Sequence, residues 1–157
     1  MDVSPTVHAA PRTWRFAAGA MWILSVLFSL RVLGQAVQRW LPQPWLPPFA
    51  AWQGSSAPYP LLLSIQLVIL GAMATASHGA WHGCTIARRG AAKWLAGLGA
   101  IYMTIALARI AIGIGIEAAP AWFRAWISGA FHIVLAAFLL MSAGYHLLRE
   151  RAPATSQ

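Results

Sequence analysis

Four uninterrupted apolar runs, each long enough to cross a bilayer, constrain this chain more than any other feature. A transmembrane helix needs about 20 consecutive apolar residues. Runs of that length occupy residues 16–38, 60–82, 92–117 and 121–147. Lipid offers no partners for backbone N–H and C=O groups, so such runs have to satisfy them internally, as helices. Only 9% of the 157 residues are charged and 59% are hydrophobic, against about 25% charged in a soluble domain. The expected fold is all-α: one polytopic domain, an up-down bundle of four transmembrane helices, with tails at 1–13 and 149–157.

The net charge of +8 is informative by position. Arg12 and Arg15 precede the first run, Arg88, Arg89 and Lys93 lie between the second and third, and Arg149 and Arg151 follow the fourth. The other two connections hold only Arg39 and Arg124. Basic loops stay on the cytoplasmic side, so both termini are expected inside. Trp14, Trp40, Tyr59, Trp81, Trp94, Trp122 and Trp126 sit where aromatic rings mark membrane interfaces. A cleaved signal peptide is the rival interpretation of the first run. Its length and Arg31 disfavour that. A nucleic-acid binder would gather its basic residues on one soluble face; none does here. The lone Cys84 excludes an internal disulfide.

The segment "SLRVLGQAVQRW" (residues 29–40) places Arg31 inside a span, about 10 Å below its outer end at 1.5 Å per residue. Counting depth along the other runs puts Gln66, Arg109 and His132 in the same outer half of the bilayer. Helical spacing adds Gln35 to Arg31, Tyr59 to Gln66, Tyr102 to Arg109 and Ser128 to His132. A buried arginine costs at least ~2.5 kcal/mol, and no Asp or Glu lies well inside any span; Glu117 at the mouth is the nearest. The expectation is an inward polar layer that binds an anionic or polar-headed lipophilic molecule, such as a lipid phosphate matched to the guanidinium fork. The alternative is that each arginine snorkels to the headgroups. The connection "LPQPWLPPFAAWQGSSAPYP" is long and proline-rich. Trp45, Phe49 and Trp52 give it an apolar face, either as a lid over the polar layer or as an anchored linker.

Small residues suggest where helices meet. Gly71, Thr75, Gly79 and Gly83 recur every fourth position in the second run, and such stripes let backbones approach in lipid. Gly97, Gly113 and Gly115 lie in the third run, and Ser25 and Ser29 in the first. Toward the inner end, His78 and His82 stand one turn apart, with Cys84 and His146 at similar depth and Met21, Met73, Met103 and Met141 in the same half. An i,i+4 histidine pair and thioethers can hold a metal such as copper, and one haem would need facing histidines. These are weak signals, since methionine and interfacial histidine are also ordinary packing residues. No cofactor is expected on balance. No phosphate loop, nucleophile elbow or carboxylate pair is present, which favours a non-enzymatic protein whose partners are membrane lipids or other integral membrane proteins. The alternative is a redox protein with a single haem, quinone or copper site.

The stretches "LRVLGQ", "PYPLLLSIQLVIL", "ARIAIGI" and "FHIVLAAFLLMSAGYH" resemble a family of small, uncharacterised four-helix bacterial integral membrane proteins. The likeness covers most of residues 28–147. It implies the four-helix architecture and a bacterial cytoplasmic (inner) membrane, and it carries no implication for chemistry.

Overall fold

The computed structural model describes residues 12–53, 57–84, 89–116 and 120–151. Every regular element among them is helical: α1 (Arg12–Trp40), α2 (Phe49–Trp52), α3 (Tyr59–Trp81), α4 (Arg89–Gly115), α5 (Ala121–Arg124) and α6 (Trp126–Arg151). Four segments, Trp14–Trp40, Tyr59–Trp81, Gly90–Gly115 and Trp126–Arg149, are long and apolar enough to cross a membrane. Large apolar side chains such as Phe16, Leu30, Val68, Ile101 and Ile114 are more than half exposed on the outside. That is the surface expected of a multi-pass protein in lipid, where apolar groups need no burial.

Two connections differ from the sequence expectation. Span four does not begin at residue 121. Ala121–Arg124 form a separate turn of helix, and Ala125 interrupts it before α6 starts at Trp126. The stretch "AWFRAW" holds no proline or glycine to announce that break. The connection after α1 is also more ordered than its prolines suggest. Pro48 precedes the single turn of α2, a position where the missing N–H costs nothing.

α1 packs against both α3 and α6, and α6 packs most extensively against α4, whereas α3 and α4 make no extensive contact. Neighbouring long helices run antiparallel. On α1 and α3, Arg15 lies over Trp81 at one end and Gln35 meets Gln66 toward the other. The end carrying α2 and α5 is termed the lid end, and the end where α1 begins and α6 finishes the tail end. The core between α1, α3 and α6 holds Met21, Phe28, Met73, Phe138 and Tyr145. Ser25 and Ser77 join α1 to α3 through a 3.2 Å hydroxyl contact.

The small residues follow their spacing only in part: Gly79 is buried, Ser25 joins α1 to α3 and Gly113 stands at a close approach, but others do not. In the α3 stripe, Gly71 and Thr75 are exposed, and a Cβ at Gly71 would meet nothing within 4 Å. Gly83 is a cap: with φ +72° it ends α3, its N–H reaching Ala80 O and that of Cys84 reaching Gly79 O. This is the paired closure of a Schellman motif, which favours glycine at the left-handed position. The close approach is instead between α4 and α6. Ala92, Gly99, Ala106 and Gly113 repeat every seventh residue on α4, and Gly129, Ala136 and Ala143 do so on α6. All but Gly113 are buried, and Gly113 is half-buried. A Cβ at Gly99 would stand 3.1 Å from Leu139 and Leu140, one at Gly129 2.8 Å from Ile110, and one at Gly113 would collide with the Phe123 carbonyl. Seven-residue spacing keeps one narrow seam facing the partner, and small residues bring the two backbones together.

Candidate functional site

Arg31 points inward. It is 6% exposed, although it lies nine residues before the end of α1, a depth of about 13 Å. Its Nη1 donates to Gln35 Oε1 at 3.2 Å, and its Nη2 donates to the Trp52 carbonyl at 3.3 Å. The guanidinium lies 5.7 Å from the Phe131 ring centre. Snorkelling is therefore not what this side chain does.

The arginine fixes which way the neighbouring amides point. A guanidinium only donates, so the Gln35 amide must present its oxygen. That oxygen also accepts from Gln66 Nε2 at 3.1 Å. Gln66 thereby commits its NH₂ to Gln35 and keeps its oxygen as a buried acceptor without a partner; Gln35 Nε2 is a buried donor without one. Buried amide groups are almost always paired, so two unsatisfied atoms in one short chain mark a place where a further polar group fits.

Beside this chain lies a cleft of about 170 Å³, whose polar wall is Arg31, Gln66, Tyr102 and His132 and whose apolar wall includes Phe28 and Phe131. His132 Nδ1 bonds to the Ser128 carbonyl one turn earlier. A carbonyl accepts only, so Nδ1 carries the hydrogen and the neutral ring keeps Nε2 as an acceptor. Tyr102 and His132 lie with ring centres 5.4 Å apart. The cleft sits where α3 and α4 stand apart, with Ile65 half-exposed on its rim.

The eight residues expected in one polar layer therefore divide. Arg31, Gln66, Tyr102 and His132 line the cleft, Gln35 backs it, and Ser128 holds the histidine. Tyr59 is buried away from the cleft, between Trp40 and Phe49 at 5.5 and 5.4 Å, with its hydroxyl unpaired. Arg109 is spent on structure. Its Nε and Nη2 donate to the Trp122 carbonyl at 3.0 and 2.7 Å, Nη2 also reaches Ala125 O at 3.5 Å, and the group stacks 4.2 Å from the Trp122 ring. Glu117, the expected counter-charge, lies outside the described residues.

Sequence reasoning missed one contributor. Trp52 does more than give the lid an apolar face: it is 8% exposed, its ring lies against Gly34, its Nε1 donates to Pro47 O at 2.9 Å, and its carbonyl takes a bond from Arg31. The signal was the spacing of Gly34 from Arg31 on nearly the same face, a gap into which a large ring could fit.

At the tail end the histidines do not converge. His78 and His82 are exposed, with rings 4.4 Å apart, beside Trp22 and Trp81. His146 is buried in a different groove, with Met73 and Ser142. Met21 and Met73 fill the core, and Met141 packs against it. Among the described residues, no three His, Cys, Asp or Glu side chains gather as a metal site. No family model, curated protein or solved structure matches the chain, so function has to be argued from the cleft.

Proposed function

We propose that this is an up-down four-helix protein of a bacterial inner membrane that binds a polar-headed, anionic lipophilic molecule in the cleft, and that it does so without catalysing a reaction. The carrying observation is Arg31, a buried cation beside a cleft in the middle of a span. The chain has only three acidic residues, Asp2, Glu117 and Glu150, and none lies in the interior of a spanning helix. The Arg31 charge is met by a neutral amide and a neutral carbonyl. These satisfy two of the five guanidinium N–H groups, and an anion would supply the charge they lack. Phosphate and carboxylate both suit the planar fork. Gln66 Oε1 and His132 Nε2 add a demand: the head must donate as well as accept. A singly protonated phosphate monoester meets both.

A monoalkyl phosphate titrated into the protein in phosphatidylcholine nanodiscs is expected to saturate at one site per chain, while an alkyl trimethylammonium of equal length is not. Gln66→Leu should weaken that binding about tenfold, the scale of one lost buried hydrogen bond. Linear, unsaturable uptake of the phosphate would mean simple partitioning into lipid and would end this reading.

The same proposal places both termini in the cytoplasm and the cleft in the periplasmic half of the bilayer, on the seven-to-two distribution of loop basic residues. Reporters fused after Gln157 and inserted at Gly54 should be active on opposite sides, cytoplasmic and periplasmic respectively. A C-terminal reporter active only in the periplasm would invert the assignment.

A further inference from the structure

A second cavity lies directly below the first. It is the groove that holds His146, about 350 Å³, walled by Ala72, Met73 and Ala76 of α3, Leu95 of α4, and Leu139 and Ser142 of α6, with His146 at its far end. The two share Ile69 and Leu135 as walls, so the second adjoins the polar cleft. It occupies the gap where α3 and α4 fail to close over α6. From Gln66 to Ala76 is ten residues, about 15 Å along α3. An extended chain advances about 1.2 Å per bond, so this length matches roughly a dozen carbons.

We infer that this lower groove holds the hydrocarbon tail of the molecule whose head occupies the cleft, so that the ligand is a single-chain amphiphile lying along α6 and reaching its site sideways from lipid between α3 and α4. The inference rests on the cleft taking a polar head. Adjacency selects a tail over other occupants: a chain attached to a head beside Arg31 meets this groove along α6, past the shared Ile69 and Leu135. The tail gains little from the hydrophobic effect, since lipid is equally apolar. Its role is geometric, fixing the orientation of the bound molecule.

Photo-crosslinking in phosphatidylcholine nanodiscs tests this on the full chain. Two long monoalkyl phosphates are used, one with a diazirine next to the phosphate and one with it about ten carbons along. The head-proximal probe should label peptides containing Leu62, Ile65 or Phe131, and the distal probe those containing Ala72, Ala76 or Leu139. Both should be competed by unlabelled hexadecyl phosphate. In Ala76→Trp the distal labelling should be lost while head-proximal labelling persists. Distal labelling at exposed positions such as Val68 and Ile101, with head labelling unchanged, would overturn the tail assignment and leave the cleft reading standing. Absence of competed labelling by either probe would remove both. Disulfide crosslinking of Ala76→Cys to a second copy, with Cys84→Ser removing the native thiol, would show that the groove is an interface between chains, which also overturns the inference.

Discussion

Arg31→Leu is expected to abolish binding of a monoalkyl phosphate while leaving the protein at least as heat-stable as before. Removing one partner of a buried charged contact costs about 2 kcal/mol or more, a loss of about 30-fold or greater in affinity. Stability should not fall with it. Gln35 Oε1 keeps its bond from Gln66; the Trp52 carbonyl loses one long bond of 3.3 Å, which is offset because exchanging a buried ion for an apolar group of similar volume is often neutral or favourable. Arg31→Lys should bind the phosphate more weakly than the native protein, because a point charge cannot donate in parallel. Arg109→Leu should do the reverse. It leaves the Trp122 carbonyl without its donors, while Ala125 O keeps its bond from the Gly129 N–H, and should lower the melting temperature with little effect on binding. Titration and thermal unfolding of the three variants separate the two arginines. Equal binding losses at both would show that they act on one anion, as the sequence pattern first suggested.

Leucine at Gly113 or Gly129 is expected to be the most damaging single change to the fold. Overpacking a close contact typically costs about 1–3 kcal/mol. Here the obstacle at Gly113 is the backbone carbonyl of Phe123, which cannot rotate away, and at Gly129 it is the Ile110 side chain. Gly113→Leu should therefore cost more than Gly129→Leu. Leucine at Gly97 or Gly115, where a Cβ would meet nothing within 4 Å, should raise stability slightly through helix propensity. Thermal unfolding in one detergent, read by loss of helical signal, measures all four. Equal effects at Gly97 and Gly113 would disprove the α4–α6 seam.

The contrast among those glycines shows what was legible in the chain. Length and apolarity fixed the four spans, because lipid leaves the backbone no other choice. Depth was legible too. The helical rise is constant, so counting residues placed Arg31, Gln66 and His132 at one level, and they do line one cleft. Rotation was not legible. A soluble helix shows its buried face as an apolar stripe, but a membrane helix is apolar all round, and nothing local indicates which glycine faces a neighbour. Hence Gly71 and Gly97 looked like packing residues and face outward, whereas Gly99 and Ala106 were passed over. Arg109 had the right depth, but its partner was a carbonyl in α5, a turn that no breaker residue announced.

The two arginines share a device with a consequence for how the protein is made. In each half of the chain a spanning helix carries an arginine followed within four residues by a glycine, Arg31 with Gly34 and Arg109 with Gly113. Each glycine lies against the short helix next along the chain, and a carbonyl of that short helix accepts from the arginine. The cation of α1 is thus solvated by α2, and that of α4 by α5, before any contact with the other half is required. A ribosome delivers α1–α2–α3 first and α4–α5–α6 second. The housing of each charge is thus local to its own half, and it needs no joining of α1 to α6.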